Sequence, residues 1–463
     1  MQADLVFIAK RDRHSALSIL CGRFGQLIFC EYQDASCSRE LNRGAHTCNS
    51  GADDDVIGFG WHGLHKRAMV ARTPAGPRRG LLLRAARILR RWAIIEAHVN
   101  TVTISVNPPY AARIEHGIVR QVGSQILDIR PNGNSTMFVI TNAAVRKHWG
   151  SALTESLNEA KLIFQILEMG DGERYKTVAT VEDLATRLVQ RGADRRSIIV
   201  AFGGGVVGDV AGFLASIYMR GLDCIQVPTT LLAQVDAAIG GKTGVNLRTG
   251  KNLLGSFHQP RRVLIDPGVL ATLPEREYRA GLYEALKCGV IRNPEIFDFM
   301  EKQREPILQR QPMALEWLIT HCVEVKAAVV AADERESDLR RILNFGHTIG
   351  HALEAETSYK QYLHGEAVAW GMVAAAMIGA GLQKTDADAA RRIISAVLAY
   401  ASLPPVSVRS KNVVRRLRAD KKTLDGAIHF VLPVEIGKVE IVPDVPERAM
   451  LQAVDELRTL SQA

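Results

Sequence analysis

"SIIVAFGGGVVGDVAGF", residues 197–213, changes character at its centre. Residues 197–202 form a short β-branched apolar run, the pattern of a strand buried on both faces of a parallel sheet. Glycines follow, and the residues after them open a helix. Gly203, Gly205 and Gly208 satisfy G-x-G-x-x-G. Such glycines let backbone N–H groups approach a pyrophosphate, and a helix N-terminus favours its charge. The motif departs from an ordinary dinucleotide fingerprint, because Asp223 precedes the next strand instead of closing it. A tight structural turn is the competing reading.

Working outward, "TVTISV" (101–106), "MFVITN" (137–142), "CIQVP" (224–228) and "RVLID" (262–266) read as further strands. "TVEDLATRLVQRG" (180–192) reads as an amphipathic helix ending at Gly192. Alternation of this kind predicts a doubly wound α/β region with a parallel sheet. After "ATLPERE" (271–277) the pattern becomes helical, over 277–292, 313–332, 341–357, 364–382 and 387–400. "HFVLPVEIGKVEIVP" (429–443) is the one later strand-like stretch. The expected organisation is a basic extension over 1–99, a Rossmann-like α/β domain over 100–273, and a mostly α-helical domain over 274–463.

The chain has 463 residues, is 47% hydrophobic and 23% charged, and fits an ordinary globular protein of two or three domains. No apolar run reaches the roughly 18–20 residues that span a membrane. The beginning has charges among its apolar residues and no signal-peptide plan, so a cytoplasmic location is expected. Most of the net charge of +9 falls in the first 99 residues. The near-neutral remainder implies no nucleic-acid partner. The extension contains "TPAGPRRG" and, over 80–99, a candidate basic amphipathic helix that could meet a membrane surface or nucleic acid. It reads more simply as a dispensable, poorly ordered segment. Seven cysteines, an odd number with no C-x-x-C, are expected to be reduced and inert.

Two regions carry chemistry. In "LNFGHTIGHALE" (343–354), His347 and His351 lie four apart, on one helix face, but not as H-E-x-x-H. With Glu284 in "GLYEALKCGVI" and His364 in "YLHGEAVAWG", His347 would complete a catalytic zinc site open to water or substrate. Whether His351 also binds metal stays open at this level. The second region, "QVPTTLLAQVDAAIGGKTGVNLRTGKNLLGSFHQP" (226–260), offers Thr229, Thr230, Asp236, Lys242, Lys251 and Asn252. Two lysines beside glycine-rich turns suit a phosphate or carboxylate ligand.

Together with "GGGVVGDVAGFLASIYMRG", "DERESDLRRILNFGHTIGHALE" and "YLHGEAVAWGM", these stretches resemble the 3-dehydroquinate synthase family, in its order, over about 100–463. The resemblance implies catalytic NAD and one divalent metal, zinc or cobalt. The reaction would convert 3-deoxy-D-arabino-heptulosonate 7-phosphate into 3-dehydroquinate and phosphate. It places the metal on Glu284, His347 and His364, leaving His351 to substrate and proton transfer. It assigns the nucleotide to Asn142, Asp171, Glu173, Lys176, Gly205, Val206, Val207, Gly208, Asp209, Thr229, Thr230, Lys242, Lys251 and Thr272. Catalytic positions would be His351, Asn344, Lys242, Lys287 and Asp236. Substrate contacts would be Asn252, Lys326, Arg340 and either Lys421 or Lys422, with Arg220 reaching over from the neighbour in a homodimer. The rivals are another sugar phosphate cyclase, making an inosose or valiolone, and a metal-dependent polyol dehydrogenase.

Overall fold

The computed structural model describes residues 100–131, 135–421, 428–443 and 445–462, and four short strands within the first 99. Of those four, β1 (Asp4–Ile8) pairs antiparallel with β4 (Val56–Gly60), and β2 (Leu20–Cys21) with β3 (Leu27–Ile28). The candidate helix at 80–99, Cys30, Cys37, Cys48 and Lys422 lie outside the described residues. Met1–Ile94 and Ile95–Ala463 are separate compact units.

The second unit begins with a seven-stranded sheet. Its strands are β5 (Asn100–Ile104), β6 (Tyr110–Ile114), β7 (Met137–Asn142), β8 (Phe164–Met169), β9 (Ile198–Gly203) and β10 (Asp223–Pro228). After a hairpin of β11 (Lys242–Leu247) and β12 (Gly250–Phe257), β13 (Arg262–Ile265) completes it. The spatial order is β5-β6-β13-β10-β9-β7-β8. All pairs are parallel except the edge pair β5–β6.

Helices α1 (Val122–Ile129) and α2 (Ala143–Glu159) cover one face, where Val122, Leu153 and Leu157 meet Met137, Val139, Ile198 and Val200. Helices α3 (Val178–Gln190) and α4 (Gly205–Ile217) cover the other, where Leu184, Val210 and Leu214 meet Phe138, Ile140, Ile199 and Ala201. Alternate residues of β7 and β9 thus serve opposite cores, which is why their sequences are continuously apolar. Asp223 opens β10 and pairs with Arg130 and Arg261, a structural role.

The helical part contains α5 (Glu275–Ile291), α6 (Pro294–Lys302), α7 (Arg304–Leu308), α8 (Pro312–Ala332), α9 (His347–Glu356) and α10 (His364–Gly381). It continues with α11 (Ala387–Tyr400), α12 (Ser410–Lys421), the β14 (His429–Glu435)–β15 (Lys438–Pro443) hairpin and α13 (Glu447–Leu460). Helix α10 is apolar all round because it is the central rod, packed against α5, α9, α11, α13 and β14. Among the described residues no helix is long and apolar enough to cross a membrane. Cys224, Cys288 and Cys322 are free and buried.

Two expectations change. The helix expected over 341–357 is divided into a 3-10 segment, Leu339–Asn344, and α9. Gly346 between them has φ 80, a left-handed turn that a side chain resists. The β11–β12 hairpin was not legible, because its polar composition reads as loop.

Candidate active site

Backbone contact brings three helices to one point. A Cβ on Gly371 of α10 would lie 1.7 Å from the Gly346 carbonyl oxygen. One on Gly365 would lie 2.0 Å from the carbonyl of Ala280 in α5. Arg276 of α5 clamps the same junction, donating two 2.7 Å bonds to Glu366. Glu366 in turn accepts from the Leu363 N–H, so the first turn of α10, which carries His364, is fixed.

Glu284, His347 and His364 converge there. Glu284 Oε1 lies 3.8 Å from His347 Nε2 and 3.7 Å from His364 Nε2. Metal–ligand bonds of about 2.0–2.2 Å in a tetrahedron separate donor atoms by roughly 3.4 Å. His347 Nδ1 is 3.0 Å from the Phe345 carbonyl, and His364 Nδ1 is 3.2 Å from Glu354 Oε2. Each Nδ1–H is therefore engaged, which turns the Nε2 lone pair toward Glu284. Glu284 is 1% exposed and neither of its oxygens accepts a hydrogen bond, although the Lys287 ammonium lies 2.5 Å from Oε2. A buried carboxylate oxygen facing two imidazole lone pairs is unfavourable unless positive charge sits between them. Burial lowers the pKa of His364, but Glu354 and Glu284 outweigh it and hold the value above normal. The donor set fits a divalent cation.

His351 shares this pocket. One ligand atom from each of His347, His351 and His364 lies within 4.8 Å of the others. Unlike the other two, His351 is exposed. Desolvation on its inner side and the nearby His364 lower its pKa to about 4. That places a neutral imidazole beside the cation site and open to a ligand.

A chain of buried charge lies alongside. Asp236 sits on a π-helical turn, Ala233–Ala237, a rare geometry often found at functional sites. It pairs with Lys326 and lies 3.9 Å from Lys287. Burial acts against its ionisation, but Lys287 and Lys326 hold its pKa far below the carboxylate range. Lys242 pairs with Glu336, which also accepts from Asn344 at 3.3 Å. Arg340 is fully buried, donates to the carbonyls of Glu334 and Gly240, and keeps Nε without a partner.

Asp333 organises this loop, accepting from the N–H groups of Ser337, Asp338 and Arg340 and from the Ser337 hydroxyl. Those bonds outweigh desolvation and depress its pKa strongly. Asp333→Ala should lower kcat/KM by about 10–100-fold through misplacement of Arg340 and Asn344, with metal content unchanged. Because the folded pKa is depressed, the stabilisation is complete above about pH 4 and fades as pH falls toward the folded value. Hydrogen exchange of residues 333–344 against pH should show protection at pH 5 and its loss in stronger acid, with Asp333→Ala unprotected at both.

The glycine turn lies at the carboxyl end of β9, beside Asn142 at the end of β7. The chain leaves β7 toward β8 and β9 toward β10, so this is the switch point where α/β sheets bind ligands. Asn142 caps α2 and donates to Asp171 at 2.8 Å. Lys176 donates to Asp209 and Asn252. The buried Thr229 hydroxyl has no partner, whereas Thr230 accepts from the Ala233 N–H. Lys251 reaches Glu354 at 3.0 Å and Glu173 at 4.0 Å.

Three expected residues share none of the contacts above. Thr272 is exposed and accepts from Trp149. Arg220 is exposed on a turn where it and Met219 have φ 72 and 48, and it forms no ion pair with the described residues. Lys421 ends α12. Sequence reasoning missed Glu354, although 347, 351 and 354 share one helix face, a spacing that could have revealed it. It also missed Arg276, Glu366 and Glu336. Nothing local marked these three: with Leu363 at the N-cap, the capping-box pattern that would have singled out Glu366 is missing from the sequence.

Solved sugar phosphate cyclases share this fold. ValA, the 2-epi-5-epi-valiolone synthase from Streptomyces hygroscopicus subsp. jinggangensis 5008 solved with NAD+ and Zn2+ bound, is 30% identical with a TM-score of 0.69 over 76% of this chain and 97% of its own. A 2-deoxy-scyllo-inosose synthase complexed with carbaglucose-6-phosphate, NAD+ and Co2+ is 28% identical, with a TM-score of 0.70 over 77% and 99%. Residues 166–280 match the family described as 3-dehydroquinate synthase N-terminal, and 281–423 match 3-dehydroquinate synthase C-terminal. The 3-dehydroquinate synthase of Koribacter versatilis (strain Ellin345) is 60% identical over 352 residues, covering 76% of this chain and 96% of that protein. That of Solibacter usitatus (strain Ellin6076) is 51% identical over 346 residues, covering 74% and 95%. The chain belongs to the 3-dehydroquinate synthase family.

Proposed function

We propose that this chain is a cytoplasmic 3-dehydroquinate synthase, converting 3-deoxy-D-arabino-heptulosonate 7-phosphate into 3-dehydroquinate and phosphate. The observation that carries this reading is the meeting of Glu284 Oε1 with two imidazole Nε2 atoms at 3.7–3.8 Å, beside the buried Asp236–Lys287–Lys326 chain. The test is phosphate release from the heptulosonate phosphate. It should need both NAD and metal, stop with chelator, and leave no net NADH. Accumulating NADH would point to a dehydrogenase instead, and turnover of a sugar phosphate without the carboxylate to another cyclase.

When bound, NAD and a divalent cation supply reversible hydride removal and acidification of the hydroxyl being oxidised. Residues 100–273 hold the nucleotide, through Asn142, Asp171, Glu173, Lys176, the 205–209 loop, Thr229, Thr230, Lys242, Lys251 and Thr272. Residues 274–463 hold the cation on Glu284, His347 and His364. His351 accepts and returns the proton of a substrate hydroxyl, and Asn344 orients that hydroxyl by hydrogen bonding. Asp236, charged at neutral pH by its two lysines, fixes Lys326 and Lys287 so that their ammonium groups face the ligand. Lys242, Asn252, Lys326 and Arg340, with Lys421 or Lys422, take the phosphate and carboxylate. They position the substrate more than they make or break its bonds.

Arg340→Met should raise the KM for the heptulosonate phosphate about 10–100-fold, the worth of a charge-assisted hydrogen bond, and change that for NAD less than ~3-fold. Equal effects on both in steady-state kinetics would remove Arg340 from the substrate site.

The active form is a homodimer in which Arg220 serves the neighbouring subunit. In support, Ile217 and Met219 near it are exposed, as are Leu253, Leu254 and Phe257 of the hairpin. Arg220→Ala and Arg340→Met would each be impaired alone. Co-refolded in equal amounts, they should recover about a quarter of wild-type activity, since half the dimers are hybrids with one intact site. Failure to recover activity, with a dimer mass in light scattering, would put Arg220 outside the partner's site.

A further inference from the structure

One carboxylate touches both halves of the site. Glu354 is 2% exposed and lies on the inner face of α9, seven residues after His347. Its Oε2 is 3.2 Å from His364 Nδ1, and its Oε1 accepts from Lys251 at 3.0 Å. Lys251 belongs to the β12 strand of the hairpin, lies 4.0 Å from Glu173, and rests over the Tyr359 ring at 4.3 Å. The carboxylate is thus divided between a histidine aimed at the cation position and a lysine aimed at the nucleotide region.

We infer that Glu354 is a positioning residue that fixes His364 for the cation and, by sharing itself with Lys251, couples cation binding to nucleotide binding. This rests on the nucleotide and metal assignments proposed above. With Lys251 on Glu354, part of the carboxylate's charge is spent on the ammonium. When a pyrophosphate draws Lys251 away, Glu354 becomes a stronger acceptor for the His364 Nδ1–H. A stronger acceptor there makes Nε2 a better ligand. NAD should therefore tighten the cation, and by reciprocity the cation should tighten NAD by the same factor.

The test is direct cation affinity, with Co2+ as probe, read from its visible absorption and by equilibrium dialysis, with and without saturating NAD and without substrate. In wild type, NAD should tighten Co2+ about 5-fold or more. Glu354→Gln should weaken Co2+ about 10–100-fold and alter its spectrum, with Glu354→Asp restoring part of the affinity. Lys251→Met keeps the carboxylate, so it should bind Co2+ without NAD as tightly as wild type does with NAD, and respond no further. The proposal is overturned if Glu354→Gln binds Co2+ like wild type, or if Lys251→Met retains the wild-type response. If Glu284→Gln also leaves the affinity unchanged, the metal assignment itself has failed; if Glu284→Gln abolishes binding and Glu354→Gln does not, only the role of Glu354 has.

Discussion

His347→Ala is expected to lose metal and turnover together. The wild-type side chain sits with Nε2 3.8 Å from Glu284 Oε1, its other nitrogen held by the Phe345 carbonyl. Alanine removes one donor of three and leaves no replacement from the backbone. Acidification of a substrate hydroxyl by a cation is worth several kcal/mol, and every 1.36 kcal/mol is tenfold in rate. A fall in kcat/KM of at least ~1,000-fold follows, with sub-stoichiometric metal after dialysis. The fold should survive, because α9 and α10 are held by the Gly346–Gly371 contact and by Ile349, Ala352 and Leu353 in the core. Stoichiometric metal by atomic emission together with full phosphate release would rule out His347 as a ligand.

Lys287→Met should produce the largest loss of stability. Lys287 is 1% exposed, 2.5 Å from Glu284 and 3.9 Å from Asp236. Burial works against its charge, yet Asp236 and Glu284 hold its pKa above the ordinary lysine value. Methionine keeps the volume, so the cost is electrostatic. Removing one member of a buried charge network costs about 3–5 kcal/mol, because the remaining charges lose their partner. Denaturant unfolding of the metal-free protein should show that loss at pH 7. The sign with pH follows from Asp236. Its depressed pKa contributes stability above the unfolded carboxylate value of about 4, which disappears as pH falls below it. The gap between wild type and variant should therefore shrink below about pH 4. Added cation should recover part of it by sitting beside Glu284. An unchanged midpoint in metal-free protein would contradict the network.

Much of the α/β half was legible because its signals are local. A strand buried on both faces must be apolar at consecutive positions, so 197–202 and 137–142 declared themselves. The glycines after β9 declared the turn, and the order of strands and helices declared the sheet. The helical half was legible by periodicity, except where one residue governed the outcome. Gly346 divides a segment whose spacing alone reads as continuous helix, because a left-handed turn costs glycine little and the contact with α10 leaves no room for a side chain. The β11–β12 hairpin was hidden because strand propensity measures fit to a packed surface, and that surface comes from α4, distant in sequence.

The sequence by itself determined the layers, the glycine turn and the residue types capable of holding a cation, since these depend on backbone preference and short-range spacing. It also carried, through its resemblance, the family to which the chain belongs. Only the tertiary structure decided that Glu284, His347 and His364 meet, that His351 beside them stays exposed, and that Glu354 joins His364 to Lys251. Those relations depend on how closely helices cross at Gly365 and Gly371, a distance set by packing between segments tens of residues apart that no local period encodes.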